Sequence, residues 1–92
     1  MQRNESCVIL TSSNQKEHVQ NRYRLIQTVD CAYGTDVYSI FMTTMENGYY
    51  DEEFAYDIAR DFGTAKEFFA RICKNNVTSS TLLDVARDLL AE

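Results

Sequence analysis

The chain has 92 residues, of which 45% are hydrophobic and 25% charged, a composition that indicates one globular domain and argues against a disordered chain. Its net charge of −5 argues against a nucleic-acid partner, because phosphate binding needs clustered lysine and arginine. Residues 1–45 carry four basic and four acidic residues, whereas residues 46–92 carry five and ten. We therefore expect the second half to repel nucleic acid and anionic lipid and to favour a cationic protein partner.

The sequence also argues against secretion, membrane insertion and metal binding. The apolar run near the start, "CVIL", is too short for a secretory signal, and no segment approaches the roughly 18 apolar residues of a membrane span. Cys7, Cys31 and Cys73 are far apart and odd in number, which predicts neither a disulfide framework nor a zinc site, with His18 the only histidine. We expect a cytoplasmic protein without a cofactor or metal.

The first part of the chain predicts a sheet. "SCVIL" (residues 6–10) predicts a short strand, and the polar "SSNQKEHVQN" (12–21) predicts a mobile loop. "RYRLIQTVD" (22–30) is rich in β-branched and aromatic residues and predicts a second strand. "CAYGTD" (31–36) supplies a glycine turn before a third strand, "VYSIFMTTME" (37–46), so these two strands should form an antiparallel hairpin.

Alternation assigns the side chains of the third strand to two faces. One face has Val37, Ser39, Phe41 and Thr43, and the other has Tyr38, Ile40, Met42 and Thr44. Asn47-Gly48 is then a strong hairpin signal. For residues 54–58 two alternatives stay open. A strand would turn Phe54, Tyr56 and Ile58 inward and Glu53, Ala55 and Asp57 outward, whereas a helix would align Phe54, Ala55, Ile58, Ala59 and Phe62. The Asn-Gly turn favours the strand.

The last third predicts a helical hairpin over residues 64–92. Thr64 and Glu67 match a capping box, and the face that follows carries Ala65, Phe68, Phe69 and Ile72. The second helix has an apolar stripe made of Leu82, Leu83, Val85, Ala86, Leu89 and Leu90. We predict a single α+β domain: an antiparallel meander of three or four strands, followed by two C-terminal helices packed on one face. Residues 1–22 form a strand plus a mobile loop, and residues 23–62 form the sheet.

Three motifs in the second half resemble those of a known family. "YSI" (38–40), "DIARD" (57–61) and "LLDVARDLL" (82–90) are similar in order and spacing to motifs of the small clostridial proteins called domain of unknown function 6514. The resemblance covers roughly residues 23–90, with Ser39 where that family has glycine and Ala59 where it has serine. It implies the fold, an intracellular setting, no known enzyme class, and a strand over 53–58. The change at Ala59 removes a capping hydroxyl and moves the helix cap to Asp61 or Thr64.

The sequence offers one candidate binding site for a partner, an acidic and aromatic run that could bind a cation or a basic peptide. The alternative is a hairpin end with solvated carboxylates that protect a strand edge, and charge runs favour this alternative. The run consists of Tyr49, Tyr50, Asp51, Glu52 and Glu53.

Other reactive side chains favour structural roles. Asp57 with Asp61, and Asp84 with Asp88, lack the buried setting that separates the pKa values of a catalytic pair. Cys73 follows Ile72 on an apolar helix face and is expected in the core. The hydroxyls of Tyr23, Tyr33 and Tyr38 could define a polar pocket, although packing is the commoner role. We predict no catalytic, cofactor or metal residues.

The missing catalytic motifs and one-sided acidity favour a non-catalytic cytoplasmic interaction or regulatory module. The alternative is a small-molecule-binding protein or minor enzyme with a shallow tyrosine-lined groove, which a concave pocket with convergent polar groups would indicate. Both faces of the third strand carry apolar residues, whereas one layer of helices covers one face. We therefore also expect a homo-oligomer that hides part of the second face.

Overall fold

The computed structural model describes residues 4–30 and 34–91. The strands β1 (Asn4–Lys16), β2 (Val19–Asp30), β3 (Thr35–Glu46) and β4 (Tyr49–Ala59) precede the helices α1 (Phe62–Lys74) and α2 (Leu82–Leu90). The strands pair antiparallel in the order β1-β2-β3-β4, and both helices pack on the sheet. The predicted α+β meander with two C-terminal helices is confirmed. Residues 31–33 of the predicted glycine turn lie outside the described residues.

The first hairpin is longer than the sequence predicts. In place of a loop over Ser12–Asn21, β1 continues to Lys16 and β2 starts at Val19, so that only Glu17 and His18 turn the chain. The loop prediction is wrong because the polar side chains of this segment pair across two strands. Asn14 lies opposite Asn21, and the amide nitrogen Nδ2 of Asn21 donates to Oδ1 of Asn14 at 3.0 Å.

β4 is a strand, and Ile58 is buried and Asp57 exposed as predicted, but the predicted orientation of Phe54, Ala55 and Tyr56 is wrong. Ala55 lies opposite Ile40 and is buried, whereas Phe54 lies opposite Phe41 on the other face, and Tyr56 is 73% exposed. A bulge then interrupts the alternation, with Asp57 at φ 52° and its amide donating to Oγ of Ser39 at 3.1 Å. The bulge returns Ile58 to the core. The Asn-Gly turn before β4 is confirmed by positive φ at both residues, 52° and 83°.

The helices cover one face of the sheet, which we call the covered face, and the opposite side is the open face. The covered face of β3 carries Tyr38, Ile40, Met42 and Thr44, all buried, as its alternation predicts. From α1 the predicted face of Ala65, Phe68, Phe69 and Ile72 is buried against them. From α2 Leu82 and Ala86 are buried, whereas Leu83 and Leu90 stay exposed. Burial of one large apolar side chain contributes about 1.5–3 kcal/mol.

The N-terminus of α1 is capped by Asp61, one of the two positions that the missing hydroxyl at Ala59 indicates. Its carboxylate accepts the backbone amide of Thr64 at 2.9 Å, which replaces the capping box predicted at Thr64. This hydrogen bond, with others from Thr64 and Gly63, holds the pKa of Asp61 below its ordinary value.

A chain of side-chain hydrogen bonds, which we call the polar belt, crosses the four strands and reaches the loop between the helices. The Tyr23 hydroxyl donates to the carbonyl oxygen of Val77 at 2.6 Å and accepts from Nδ2 of Asn14 at 3.1 Å. Oγ1 of Thr44 donates to Asn21 at 2.8 Å and accepts the Ser79 amide at 2.8 Å. The belt comprises Asn14, Asn21, Tyr23, Thr44, Asp51 and Ser79.

Four of the belt residues are buried and hydrogen-bonded, whereas Asn14 is half-buried and Asp51 is exposed. Tyr23, Asn21, Thr44 and Ser79 are each at most 6% exposed, and Oγ of Ser79 donates to Asp51 at 2.9 Å. Every buried side-chain nitrogen or oxygen in the described part of the chain has a partner. Because one unsatisfied buried polar group costs about 1–3 kcal/mol, the loop has one favourable position on the sheet. The belt therefore helps to determine which face the helices cover.

Replacing Tyr23 with phenylalanine should destabilise the fold. The substitution leaves the Val77 carbonyl and the Asn14 amide without this partner in a buried site, so the free energy of unfolding should fall by about 1–3 kcal/mol. Urea denaturation followed by circular dichroism measures this change. The control, Tyr56→Phe at an exposed position, should change stability by less than about 0.5 kcal/mol. Equal effects of the two substitutions would contradict the role of the belt.

The Asp61 cap predicts a pH-dependent contribution to stability. The folded-state pKa of Asp61 is depressed, so its stabilisation is present above the unfolded-state value of 3.8 and is lost as pH falls through the lower folded-state pKa. Asp61→Asn keeps a neutral cap without this titration. The difference in unfolding free energy between the two proteins should therefore shrink with acidification. Thermal unfolding at neutral and acidic pH tests this, and a pH-independent difference would contradict it.

Candidate functional site

The open face carries a group of aromatic rings and arginines. Phe41 of β3 lies opposite Phe54 of β4, with ring centres 4.6 Å apart and planes at 37°. Phe54 and Tyr56 stack at 4.9 Å with planes at 9°. The guanidinium carbon of Arg24 lies 5.8 Å from the Phe41 ring centre, within the range of a cation–π contact. Arg24, Phe41, Phe54 and Tyr56, with Arg22 beside them on β2, form what we call the arginine–aromatic surface.

Strand alternation places these residues together. Arg22 and Arg24 lie two residues apart on β2, opposite Thr43 and Phe41 of β3. Both arginines are exposed, whereas Phe41 and Phe54 are half-buried by their neighbours. The side chains thus leave ring surface and guanidinium donors accessible on the same side of the sheet.

The arginine–aromatic surface carries positive charge, whereas the chain as a whole has a net negative charge. Arg22 and Arg24 lie on the central strand β2, and Glu52 lies on the same face on the edge strand β4. The Tyr50 hydroxyl donates to Oε2 of Glu52 at 3.2 Å. Partial burial and then Glu52 raise the pKa of Tyr50, while Arg24 and Arg22 oppose this shift. The open face therefore offers local positive charge on an acidic protein.

Two shallow depressions flank Arg22. The larger, of about 490 Å³, is lined by Thr11, Ser12, Ser13, Gln20, Arg22, Tyr23 and Arg24. The smaller, of about 90 Å³, is lined by Gln20, Arg22, Thr43, Met45 and Tyr50. Guanidinium, hydroxyl and amide groups of this kind donate hydrogen bonds to carboxylates.

The structure does not bring the predicted run Tyr49–Glu53 into one site. Tyr50 and Glu52 lie on the open face, whereas Asp51 accepts from Ser79 within the polar belt. Glu53 accepts the backbone amide of Phe54 at 3.0 Å. Tyr49 is 81% exposed at the hairpin end. A partner-binding role for this run stays a prediction.

The other reactive groups have structural partners. Asp57 pairs with Arg60 and Asp84 with Arg87, each at 3.0 Å and exposed. Tyr23 and Tyr38 are buried in the core, although Tyr23 also borders the larger depression, and Tyr33 lies outside the described residues. Within residues 4–30 and 34–91, no three histidine, cysteine, aspartate or glutamate residues are grouped to hold a metal ion.

A further concavity lies beside the polar belt at the end of the first hairpin. Its volume is about 350 Å³, and its lining is Asn14, Lys16, Glu17, Val19, Asn21 and Asn76. We call it the amide pocket. The sequence did not reveal it because most of these residues belong to the segment predicted as a loop. The segment Ser12–Asn21 is polar at every position except Val19, so no alternation marked it as part of two strands.

Comparison with protein-family models, curated protein sequences and solved structures finds no match for this chain. Among the described residues, neither helix has the length and apolar composition needed to cross a membrane.

The two described cysteines should differ in reactivity. Burial raises the pKa of the half-buried Cys73 thiol, although a hydrogen bond with Ser12 opposes the shift, whereas Cys7 is exposed on β1. We expect a limiting amount of iodoacetamide at neutral pH to alkylate Cys7 before Cys73, and urea to remove the difference. Peptide mass spectrometry measures both sites. Faster alkylation of Cys73 in the folded protein would contradict its core role.

Proposed function

We propose that this chain is a non-catalytic interaction module of the cytoplasm, and that its arginine–aromatic surface binds a protein segment carrying carboxylates beside an aromatic side chain. The observation that supports this most is Arg24 placed 5.8 Å from the centre of Phe41 on the face opposite the helices. A partner carboxylate can accept hydrogen bonds from Arg22 and Arg24. A partner ring can lie against the stacked rings of Phe54 and Tyr56.

Shape favours a protein segment over a small molecule on this face. Ligand pockets typically enclose about 300–1,000 Å³ and bury most of their ligand. The 90 Å³ groove beside Tyr50 is smaller than this range. The larger depression has a volume within it, about 490 Å³, but is shallow and open on a flat molecule measuring 44 × 31 × 19 Å. An extended peptide fits such a surface.

Two sequence-based expectations remain separate proposals. The acidic end of β4, where Tyr49 is exposed, supports a cationic partner, whereas the open face supports an acidic one. Membership in domain of unknown function 6514 is the other, and its support is the order of the motifs at residues 38–40, 57–61 and 82–90. That family contributes no enzyme class to the proposal.

The amide pocket supports a second candidate function, binding of a small polar ligand. Three asparagine amides lie near Lys16 and Glu17 around 350 Å³, a volume within the range of ligand sites. Asn14 and Asn21 hydrogen-bond within the polar belt, so Asn76, Lys16 and Glu17 would provide the donors and acceptors for a zwitterion. Glycine and free amino acids are the probes, and loss of binding in Asn76→Ala, with binding retained in Arg24→Gln, would support this second candidate.

The leading proposal predicts selective binding of acidic aromatic peptides. A peptide of alternating glutamate and tyrosine, titrated into labelled protein, should shift the NMR signals of β2, β3 and β4 on the open face. The same peptide with lysine for glutamate should bind more weakly. Arg22→Gln and Arg24→Gln should each weaken binding by about tenfold, because each removes charge-assisted hydrogen bonds.

The matched control is Arg87→Gln, an exposed arginine of α2, which should leave peptide affinity unchanged. Two outcomes would contradict the proposal: tighter binding of the lysine peptide, or signal changes confined to the helices. A single-stranded oligonucleotide is the third probe. Its displacement of the acidic peptide would instead assign the surface to nucleic acid.

A further inference from the structure

The two edges of the sheet differ in their protection against pairing. β4 carries Asp51, Glu52, Glu53 and Asp57, and a bulge interrupts it. β1 carries no charged residue and no proline over the ten positions from Ser6 to Gln15. Charges and bulges are common devices that keep edge strands from pairing with other chains. β1 has a bulge at Ile9, but the strand continues without interruption from Leu10 to Lys16.

The outer edge of β1 is suited to pair with another extended strand. Among residues 4–30 and 34–91, the sheet order gives β1 one neighbouring strand, β2. The backbone groups that point away from β2 therefore form a row of donors and acceptors along an exposed edge. Such a row is complemented by another extended strand.

We infer that the partner of this edge is β1 of a second copy, paired antiparallel in a two-fold dimer. The charges at the ends of the strand favour this occupant. Glu5 lies near one end of β1 and Lys16 near the other, and both are exposed. Antiparallel pairing brings Glu5 of each copy beside the partner's Lys16, twice in one dimer, whereas parallel pairing aligns like charges.

The bulge makes this charge pairing geometrically consistent. Glu5 lies opposite Val29 and Lys16 opposite Val19, two β2 residues that share a face by strand alternation. Without the extra residue at Ile9, the odd separation of Glu5 and Lys16 would put them on opposite faces. Residues that face each other across antiparallel strands must share a face.

The dimer is closed and independent of the proposed function. The protected β4 edges lie at the far ends of the joined sheet, so further addition is disfavoured. Pairing uses the strand edge and leaves the arginine–aromatic surface of each copy exposed. This dimer differs from the homo-oligomer expected from the sequence, which would hide part of the second face, because it joins strand edges and leaves the open face uncovered.

A charge-swap experiment tests the dimer. Sedimentation velocity should show a concentration-dependent dimer for the unaltered protein. Glu5→Lys and Lys16→Glu should each weaken dimerisation by about tenfold, because each replaces two attractive pairs with repulsive ones. The double variant Glu5→Lys/Lys16→Glu should restore the original affinity. Mixing the two single variants should produce a heterodimer, which a loss of folding in either variant could not produce.

A second variant tests the middle of the strand. Thr11→Lys/Ser13→Lys adds charges at exposed β1 positions and should abolish the dimer, with folding checked by circular dichroism. Ala70→Lys/Leu83→Lys, which adds the same charge at exposed helix positions, should leave it unchanged. A monomer at millimolar concentration, open-ended fibres, or a dimer insensitive to the β1 lysines would each overturn the inference. The Arg24→Gln variant should dimerise normally. Loss of peptide binding in this variant can therefore be distinguished from loss of the dimer.

Discussion

Two hydrogen bonds position the helix layer on the sheet: the Tyr23 hydroxyl donates to the Val77 carbonyl oxygen, and Oγ1 of Thr44 accepts from the Ser79 amide. They join a carbonyl oxygen and an amide of the loop to two buried hydroxyls of the central strands. β3 has apolar residues on both sides, but on β2 the covered face carries Leu25 whereas the open face carries Arg22 and Arg24, so hydrophobic burial favours the covered face. The polar belt adds a directional preference for the same face. The helices cover that face, and Phe41, Phe54 and Tyr56 remain on the other.

Acidic and basic side chains are distributed differently between the helices, β4 and the open face. The net charge of −5 describes the sum over the chain, and much of the acid lies on the outer sides of the helices and along β4. Arg22 and Arg24 lie instead in the interior of the sheet order, next to rings. A local site of opposite sign can therefore select a partner that the net charge would repel at long range. The acids on β4 have a further effect, because they protect one sheet edge while β1 stays unprotected.

The sequence allowed the regular elements to be predicted, since their signals are local. Alternation assigned the two faces of β3, Asn47-Gly48 located the turn, and helical spacing identified the buried face of α1. The polar segment Ser12–Asn21 was misassigned because its stabilising partners lie across the sheet: Asn14 donates to Tyr23, and Asn21 accepts from Thr44. The β4 side chains were misassigned because the bulge at Asp57 changes the alternation. The arginine–aromatic surface likewise requires the register between β2, β3 and β4, which one sequence does not supply.

The central claim is that the polar belt holds the helix layer on the covered face. Hydrogen exchange at the Ser79 amide tests it most directly, because this N–H donates to Oγ1 of Thr44 at 2.8 Å in a buried site, although it belongs to an interhelical loop. We expect this amide to exchange as slowly as those of Ile40 and Met42, through global unfolding. Exchange as fast as at the exposed turn residue Gly48 would contradict it.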